Sequence, residues 1–419
     1  MTKERTILHC DCNGFYASVE CLCHPECRAV PMAVCGDPES RRGIILAKNE
    51  LAKAYGVQTA ETIWQAKKKC PDLVLVPAHH DLYAEYSAWI NDIYRRYTEL
   101  VEPFSIDESW LDVTASRTLF GGGRQIADEL RAVVRRETGI TISVGVSFNK
   151  IFAKMGSDYQ KPDATTVITR ENYRAVLFPL PVRALLFVGK STEDTLLKCG
   201  IRTIGDLAES APEYLKHLLG KQGETLHQYA NGLDESPVTI EEQEAKSVSH
   251  DITFRRNLVG EEDIRIGLSA IADNVAARLR RMELKCSTVQ ILIKDPNLKS
   301  ISRQKGLETP TFLAKELAQA GMELIQASWD LRRPIRMLSL AGTNLLPAEQ
   351  AAEQLSLFGT PAGIDRQREE KLEIAMDGIR ERFGKGVIVS ARLLKNDIGI
   401  DLKKPGKTDP IRKIISPDD

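Results

Sequence analysis

Residues 5–147, with 21–79 set aside, alternate between strand-like and helix-like stretches in an order that few folds accommodate. RTILHCD (5–11) alternates as a buried strand does and ends on an acid. NGFYASVECL (13–22) predicts a short helix with Asn13 as its N-cap. Leu82, Tyr86, Ile90, Ile93, Tyr97 and Leu100 recur at helical spacing and predict a long amphipathic helix over 80–100. VEPFSI and SWLDVT flank the acidic pair Asp107-Glu108, which predicts a hairpin with that pair in its turn. GGGRQIADELRAVVRRETG predicts a helix between glycine stops, TISVGVS a strand and NKIFAKMGSDYQK another helix. The order is β-α-β-β-α-β, the split βαβ arrangement, with right-handed crossovers. In that topology the first strand ends at the edge where the hairpin turns. Asp11 and Asp107-Glu108, about 95 residues apart, therefore meet on one sheet edge.

Three carboxylates at one edge repel each other unless a cation lies among them. Oxygen-only ligands suit Mg2+, which keeps waters and also binds substrate phosphates. Two such ions stabilise the attacking and leaving oxygens of an in-line displacement. The chemistry implied is nucleotidyl or phosphoryl transfer. An Asp-Glu pair in a hairpin turn is also ordinary solvated turn chemistry, and it is the topology that favours the metal reading.

The inserted segment holds strand-like PMAVC (31–35) and GIILA (43–47), then KNELAKAYG, a helix stopped by Gly56. Seven of the nine cysteines lie in the first 70 residues. In a reducing cytosol they read as free thiols or ligands rather than disulfides. Cys21, Cys23 and Cys27 around His24 invite a zinc reading, but C-x-C-x3-C lacks a second pair at ribbon spacing. A helix end followed by a Pro25 turn is the preferred reading. Residues 180–235 are helical with glycine breaks, and TIEEQEA (239–245) reads as an acidic linker. Residues 246–345 mix strands (VQILIK, MLSLAGTNLL) with two amphipathic helices and predict two ββ/α units in a second α+β domain. Beyond Pro347 the chain is polar and mixed in charge.

A length of 419 residues allows several domains. The net charge of −1 argues against a simple basic nucleic-acid binder. That number is an average over unlike parts, because residues 246–306 carry twelve Lys/Arg against seven acids. No stretch approaches the ~18 apolar residues of a membrane span, and MTKERTILHCDCNGF lacks a signal-peptide core. A cytoplasmic protein without a membrane partner is expected.

DCNGFYASVE (11–20), SIDESWLDVT (105–114) and VGVSFNKIFAKMGSDYQKP (144–162) resemble the motifs of the Y-family, or translesion, DNA polymerases. The likeness runs from about residue 5 to 345, and within it DinB-like (polymerase IV) and UmuC-like features are mixed. It implies an α+β multidomain chain: a ferredoxin-like palm (1–20 and 80–168), small fingers (21–79), a helix-hairpin-helix thumb (169–238), a linker (239–245), a DNA-binding α+β little finger (246–345) and a tail (346–419). It also implies error-prone, template-directed synthesis from dNTPs on primer–template DNA.

Carried over by motif, Asp11, Asp107 and Glu108, with the backbone carbonyl of Cys12, would hold two Mg2+ ions, for which Mn2+ can substitute. Glu108 takes the active-site acid's role. Tyr16 falls at the steric gate, where an aromatic ring clashes with a ribose 2′-OH, and Phe15 lines the same floor. Core packing is the ordinary alternative for both rings. Lys161 matches a triphosphate-binding lysine. Lys53 stands where relatives place an arginine, and a lysine gives up the bidentate grip. The family's T-A-N-Y-x-A-R is Ala47-Lys48-Asn49-Glu50-Leu51-Ala52-Lys53 here, so two phosphate-binding hydroxyls are missing and Lys48 is the available replacement.

LLFVGKSTEDTLLKCGI resembles a helix-hairpin-helix in which Gly189 and Lys190 at the turn would meet a DNA phosphate. Gln354-Leu355-Ser356-Leu357-Phe358 resembles the Q-L-x-L-F peptide that binds the bacterial sliding clamp, the β subunit; Gln354, Leu355, Leu357 and Phe358 are its anchors. A monomer is expected. Two other classes fit parts of the pattern. A catalytically silent, clamp-bound accessory subunit would have lost the metal acids, which are present here. A palm-fold nucleotide cyclase has no use for the thumb, little-finger and clamp-peptide regions.

Overall fold

The computed structural model describes residues 4–36, 43–240, 244–351, 362–384, 386–394 and 396–400, with main chain only for 362–365. These residues divide near residue 242 into two compact units.

The first unit is built on a five-stranded sheet in the order Val101–Pro103, Glu108–Asp112, Ile7–Cys12, Ile142–Ser147, Thr165–Val167. All neighbours are antiparallel except the last pair. The first four strands are the expected split βαβ sheet. The fifth, Thr165–Val167, is too short for its alternation to be read from sequence.

Strand Ile7–Cys12 is buried along its whole length and sorts its side chains by period two. Leu8 lies beneath helix Gly123–Thr138, close to Gly123. Cys10 lies on the side of Tyr94, on helix His80–Arg95. On the opposite face, Ile7 packs with Ala153, His9 meets Ser157 and Asp11 meets Lys154, all on helix Lys150–Tyr159. The pleat alone therefore aims Asp11 at that helix.

Three local expectations need correction. Helix Phe15–Cys23 is capped not by Asn13 but by Gly14, whose φ of 54° is the left-handed conformation glycine adopts freely. The Asn13 side chain instead donates to Thr141 Oγ1 at 3.1 Å and accepts from Ser143 Oγ at 2.9 Å. Helix His80–Arg95 stops before Tyr97 and Leu100, because Tyr97 turns inward onto Phe120 while its hydroxyl donates to Glu129. Glu108 is not in the hairpin turn but is the first residue of its strand, directly opposite Asp11.

Residues 32–77 form a small three-stranded sheet. Met32–Cys35 lies between antiparallel Ile45–Lys48 and parallel Val74–Pro77 over a core of Ala33, Ile45, Ala52, Val57, Ala66 and Leu73. Residues 173–230 are a cluster of short helices around Leu177, Leu185, Leu196, Ile204, Leu215 and Leu226.

The second unit is a four-stranded antiparallel sheet in the order Ser300–Thr311, Leu284–Lys294, Ile335–Pro347, Ser247–Leu258, with helices Glu261–Arg281 and Ala314–Ser328 packed on it. Its element order is again βαββαβ, and not the two ββ/α units expected. The strand missed is Ser300–Thr311. It is an edge strand, mostly exposed, polar and carrying Pro310, so it lacks the apolar alternation that identifies a strand.

The closing chain also belongs to this unit. Helix Ala362–Phe383 brings Glu373 and Asp377 to Arg280, Glu370 to Lys285 (2.8 Å) and Arg380 to Asp273 (3.1 Å). Leu393 and Ile398 join the core, and Arg255 N–H donates to the Ile398 carbonyl. The basic segment is therefore less free than its composition suggests. Arg256 pairs with Asp263 and Asp397, Arg265 with Glu261 and Lys305 with Glu323.

Candidate catalytic site

Asp11 and Glu108 face each other across adjacent strands, and Cys12 N–H donates to the Asp107 carbonyl at 3.0 Å. Residues distant in sequence thus meet through strand register. Asp11 is buried, and Glu108 and Asp107 are half-buried. The Asp107 carboxylate accepts from Ser105 Oγ at 2.7 Å. Burial, with the charges of Asp11 and Glu108, still raises its pKa, against the pull of Ser105. Burial also opposes the charge on Glu108. His9 and Lys154 outweigh it and hold that carboxyl near about 2.

Two ammonium groups lie among these acids. Lys154 Nζ is 3.0 Å from Asp11 Oδ2, 3.1 Å from Glu108 Oε2 and 3.2 Å from Asp158 Oδ2. Lys161 Nζ is 2.8 Å from both Asp11 Oδ2 and Asp158 Oδ1. Burial opposes the charge of each, and the surrounding carboxylates prevail and raise both. Beneath Glu108 lies fully buried His9, edge-on to Trp110, with Nε2 3.4 Å from Glu108 Oε2 and Nδ1 2.8 Å from Ser157 Oγ. Burial lowers its pKa, so the ring is neutral. Among the described residues no three acid, His or Cys side chains are drawn together around a metal-sized gap. The donor set is nonetheless all-oxygen, and the cations that now meet Asp11 and Glu108 stand where a hard cation's charge would be needed.

Tyr16 stacks on Tyr83 at 4.1 Å between ring centroids and meets His80 edge-on. Its pKa is raised by burial and then by the charge of Asp107. Phe15 is 2% exposed and packs behind Tyr16 and Tyr83, which makes it core backing rather than an open floor. Lys48 ends its strand and donates to Thr59 Oγ1 at 3.1 Å; burial, then Lys53, lowers its pKa. Lys53 is exposed and pairs with Glu50 at 3.3 Å, so the acid that replaces the family's hydroxyl also engages the cation nearby.

Gly189 and Lys190 are both exposed, at the start of helix Lys190–Lys198, and a Cβ on Gly189 would meet nothing within 4 Å. Cys21 and Cys27 are buried, and among the described residues no two cysteines are joined in a disulfide. Gln354, Leu355, Leu357 and Phe358 lie outside the described residues. Sequence reasoning missed Lys154, His9 and Ser157. The signal for Lys154 was the spacing Lys150, Lys154 and Asp158, which puts charge on one helix face.

The family model described as impB/mucB/samB matches residues 10–158, and that family's C-terminal-domain model matches 245–357. A model described as the DNA polymerase-iota thumb domain matches 185–234. The DNA polymerase IV of Acetivibrio thermocellus is 49% identical over 383 residues, covering 91% of this chain and 95% of that protein. The chain belongs to the Y-family DNA polymerases. Two further relatives are the DNA polymerase IV of Clostridium kluyveri, 36% identical over 94% of this chain and 99% of its own, and that of Moorella thermoacetica, 39% identical over 93% and 96%. A solved Y-family DNA polymerase chimera of Dbh and Dpo4 shares the fold, with a TM-score of 0.73 at 23% identity over 81% of this chain and 99% of the chimera. The Y-family fold accounts for the five-stranded and four-stranded sheets and for the helical cluster between them in sequence. No helix among the described residues is long and apolar enough to cross a membrane.

Proposed function

We propose that the chain is a DNA-directed DNA polymerase that performs translesion synthesis, adding dNTPs to a primer 3′ end on template DNA. The observation that carries this reading is the in-register pairing of Asp11 with Glu108, with Asp107 next to it, in a chain of this family. Polymerases of this family depend on divalent metal ions. In this chain Asp11, Asp107 and Glu108, with the Cys12 carbonyl, would hold two Mg2+ ions, with Mn2+ as a substitute. When bound, such ions activate the primer 3′-hydroxyl and neutralise the charge that builds on the phosphates.

The chain's own groups do the rest. Lys161 is the more exposed of the two ammonium groups, at 32%, and it can turn from Asp158 to an incoming triphosphate. Lys48, half-buried at the end of its strand, adds a second cation. Tyr16, braced by Tyr83, presents a fixed ring on which a ribose 2′-hydroxyl would clash. Exposed Gly189 lets duplex phosphate approach the helix start, with Lys190 beside it, and this contact positions DNA without reading its sequence. The segments act as palm (1–20 and 80–168), fingers (21–79), thumb (169–238), linker (239–245), little finger (246–345) and tail (346–419). Residues 354–358 bind a sliding clamp, which raises the enzyme's local concentration on DNA. The chain works as a monomer.

Primer extension tests the reading. The wild type should extend a primer with dNTPs and Mg2+ on an abasic or undamaged template, and Asp107→Ala should lose about 10²–10³ or more in rate. Full activity in Asp107→Ala rejects the site. No extension by the wild type rejects the function. Deleting 354–358 should leave extension on short linear DNA intact and abolish stimulation by a loaded clamp.

A further inference from the structure

The motifs assign Lys161 but leave unassigned the cation buried deepest among the acids. Lys154 touches three carboxylates, and its side chain is 10% exposed. Its place is fixed by backbone packing, because helix Lys150–Tyr159 sits so close to its strand that Gly145 and Gly156 are needed at the contact. Lys161 shares Asp11 and Asp158 with it but is three times as exposed and lies beyond the helix end. One ammonium is held in place and the other is free to leave.

An ammonium 3 Å from two carboxylates fills the electrostatic place of a hard divalent ion, which binds oxygen at about 2.0–2.1 Å. It screens the repulsion between Asp11 and Glu108, and it repels any divalent ion that seeks the same oxygens. We propose that Lys154 is a positioning residue: a resident cation that holds Asp11 and Glu108 in place before divalent ions arrive and weakens the cluster's own affinity for them. This rests on the reading of the cluster as the ion site. A bound triphosphate would draw Lys161 away from Asp11 and Asp158, and its negative charge would restore the cluster's attraction for divalent ions.

The test is Mn2+ binding to the full chain without DNA or nucleotide, followed by electron paramagnetic resonance. Lys154→Met should bind Mn2+ at least about tenfold more tightly than wild type, because one unit charge has left the ligand oxygens. Its melting temperature in EDTA should fall, and it should gain more on Mn2+ addition than wild type does. Lys154→Gln keeps a donor without charge, covers the case in which Met fails to fold, and should tighten binding likewise. Lys154→Arg should restore wild-type affinity. Mn2+ affinity in both neutral variants equal to or below wild type overturns the proposal. If Asp107→Ala abolishes Mn2+ binding while the neutral variants match wild type, only this inference falls. If Asp107→Ala leaves wild-type Mn2+ binding unchanged, the ion site falls with it.

Discussion

Replacing Gly145 with alanine should both destabilise the palm sheet and disturb the carboxylate cluster. A Cβ at 145 would lie 1.9 Å from Ala153 O, 2.4 Å from Ser157 N and 2.8 Å from Gly156 C. All three are backbone atoms, so no side chain can swing aside. Helix Lys150–Tyr159 would have to withdraw about 1.1 Å to bring the nearest contact even to 3.0 Å. That helix carries Lys154 and Ser157, and its Lys150 carbonyl accepts from the Trp110 indole at 3.0 Å. A shift of that size takes Lys154 from 3.0 Å to about 4 Å from Asp11, the limit of an ion pair. Overpacking against side chains costs about 1–3 kcal/mol; against backbone the loss should be about 3 kcal/mol or more. Urea unfolding followed by tryptophan fluorescence measures it. Gly306→Ala is the control, because nothing lies within 4 Å of that position, and it should change stability by less than about 0.5 kcal/mol. If Gly145→Ala also falls within 0.5 kcal/mol, the close seating of the helix, and the placement of Lys154 that depends on it, is refuted.

Tyr16→Ala should raise ribonucleotide incorporation at least about tenfold while dNTP use falls less; unchanged sugar selection removes Tyr16 as the gate. Glu108 is held near about 2, below its ordinary 4.5, so its contribution to stability is present above that ordinary value and is lost as pH falls toward 2. Wild type should therefore lose more stability than Glu108→Gln between pH 5 and pH 3 in urea titrations; equal losses would mean the carboxylate is not stabilised by its neighbours. Arg280, 5% exposed at its side chain, is paired by Glu373 and Asp377. The double change Glu373→Gln and Asp377→Asn should cost about 3 kcal/mol by leaving a buried guanidinium without counter-charge, read as a lower melting temperature of the second unit. No shift would show that the closing helix does not support that unit.

Much of the palm was legible because its signals are local. RTILHCD alternates, GGGRQIADELRAVVRRETG is bounded by glycines, and the βαββαβ order then brings Asp11 to Asp107-Glu108 by topology alone. The Asn13 cap failed because tertiary contacts to Thr141 and Ser143 compete for the same side chain. Strand Ser300–Thr311 was missed because an exposed edge strand needs no apolar face. The closing helix spreads its pairing acids through a charged sequence, and their partners lie 85 to 97 residues away.

Sequence by itself determined the class of chemistry: which acids exist, that they share an edge, and which motifs surround them. Only the tertiary structure decided what stands between those acids. His9 and Ser157 carry no mark in sequence, and the spacing of Lys154 does not say what it touches, because a buried polar group is defined by its surroundings. Strand pleat, glycine-tight helix seating and low solvent access together turn a helical lysine into the cation among the carboxylates. The same reasoning changed the basic segment of the second unit, where Arg280 and Lys285 prove to be internal partners of the closing helix. Composition counts charges, but whether a charge faces solvent, a phosphate or another side chain depends on distances that only the folded chain sets.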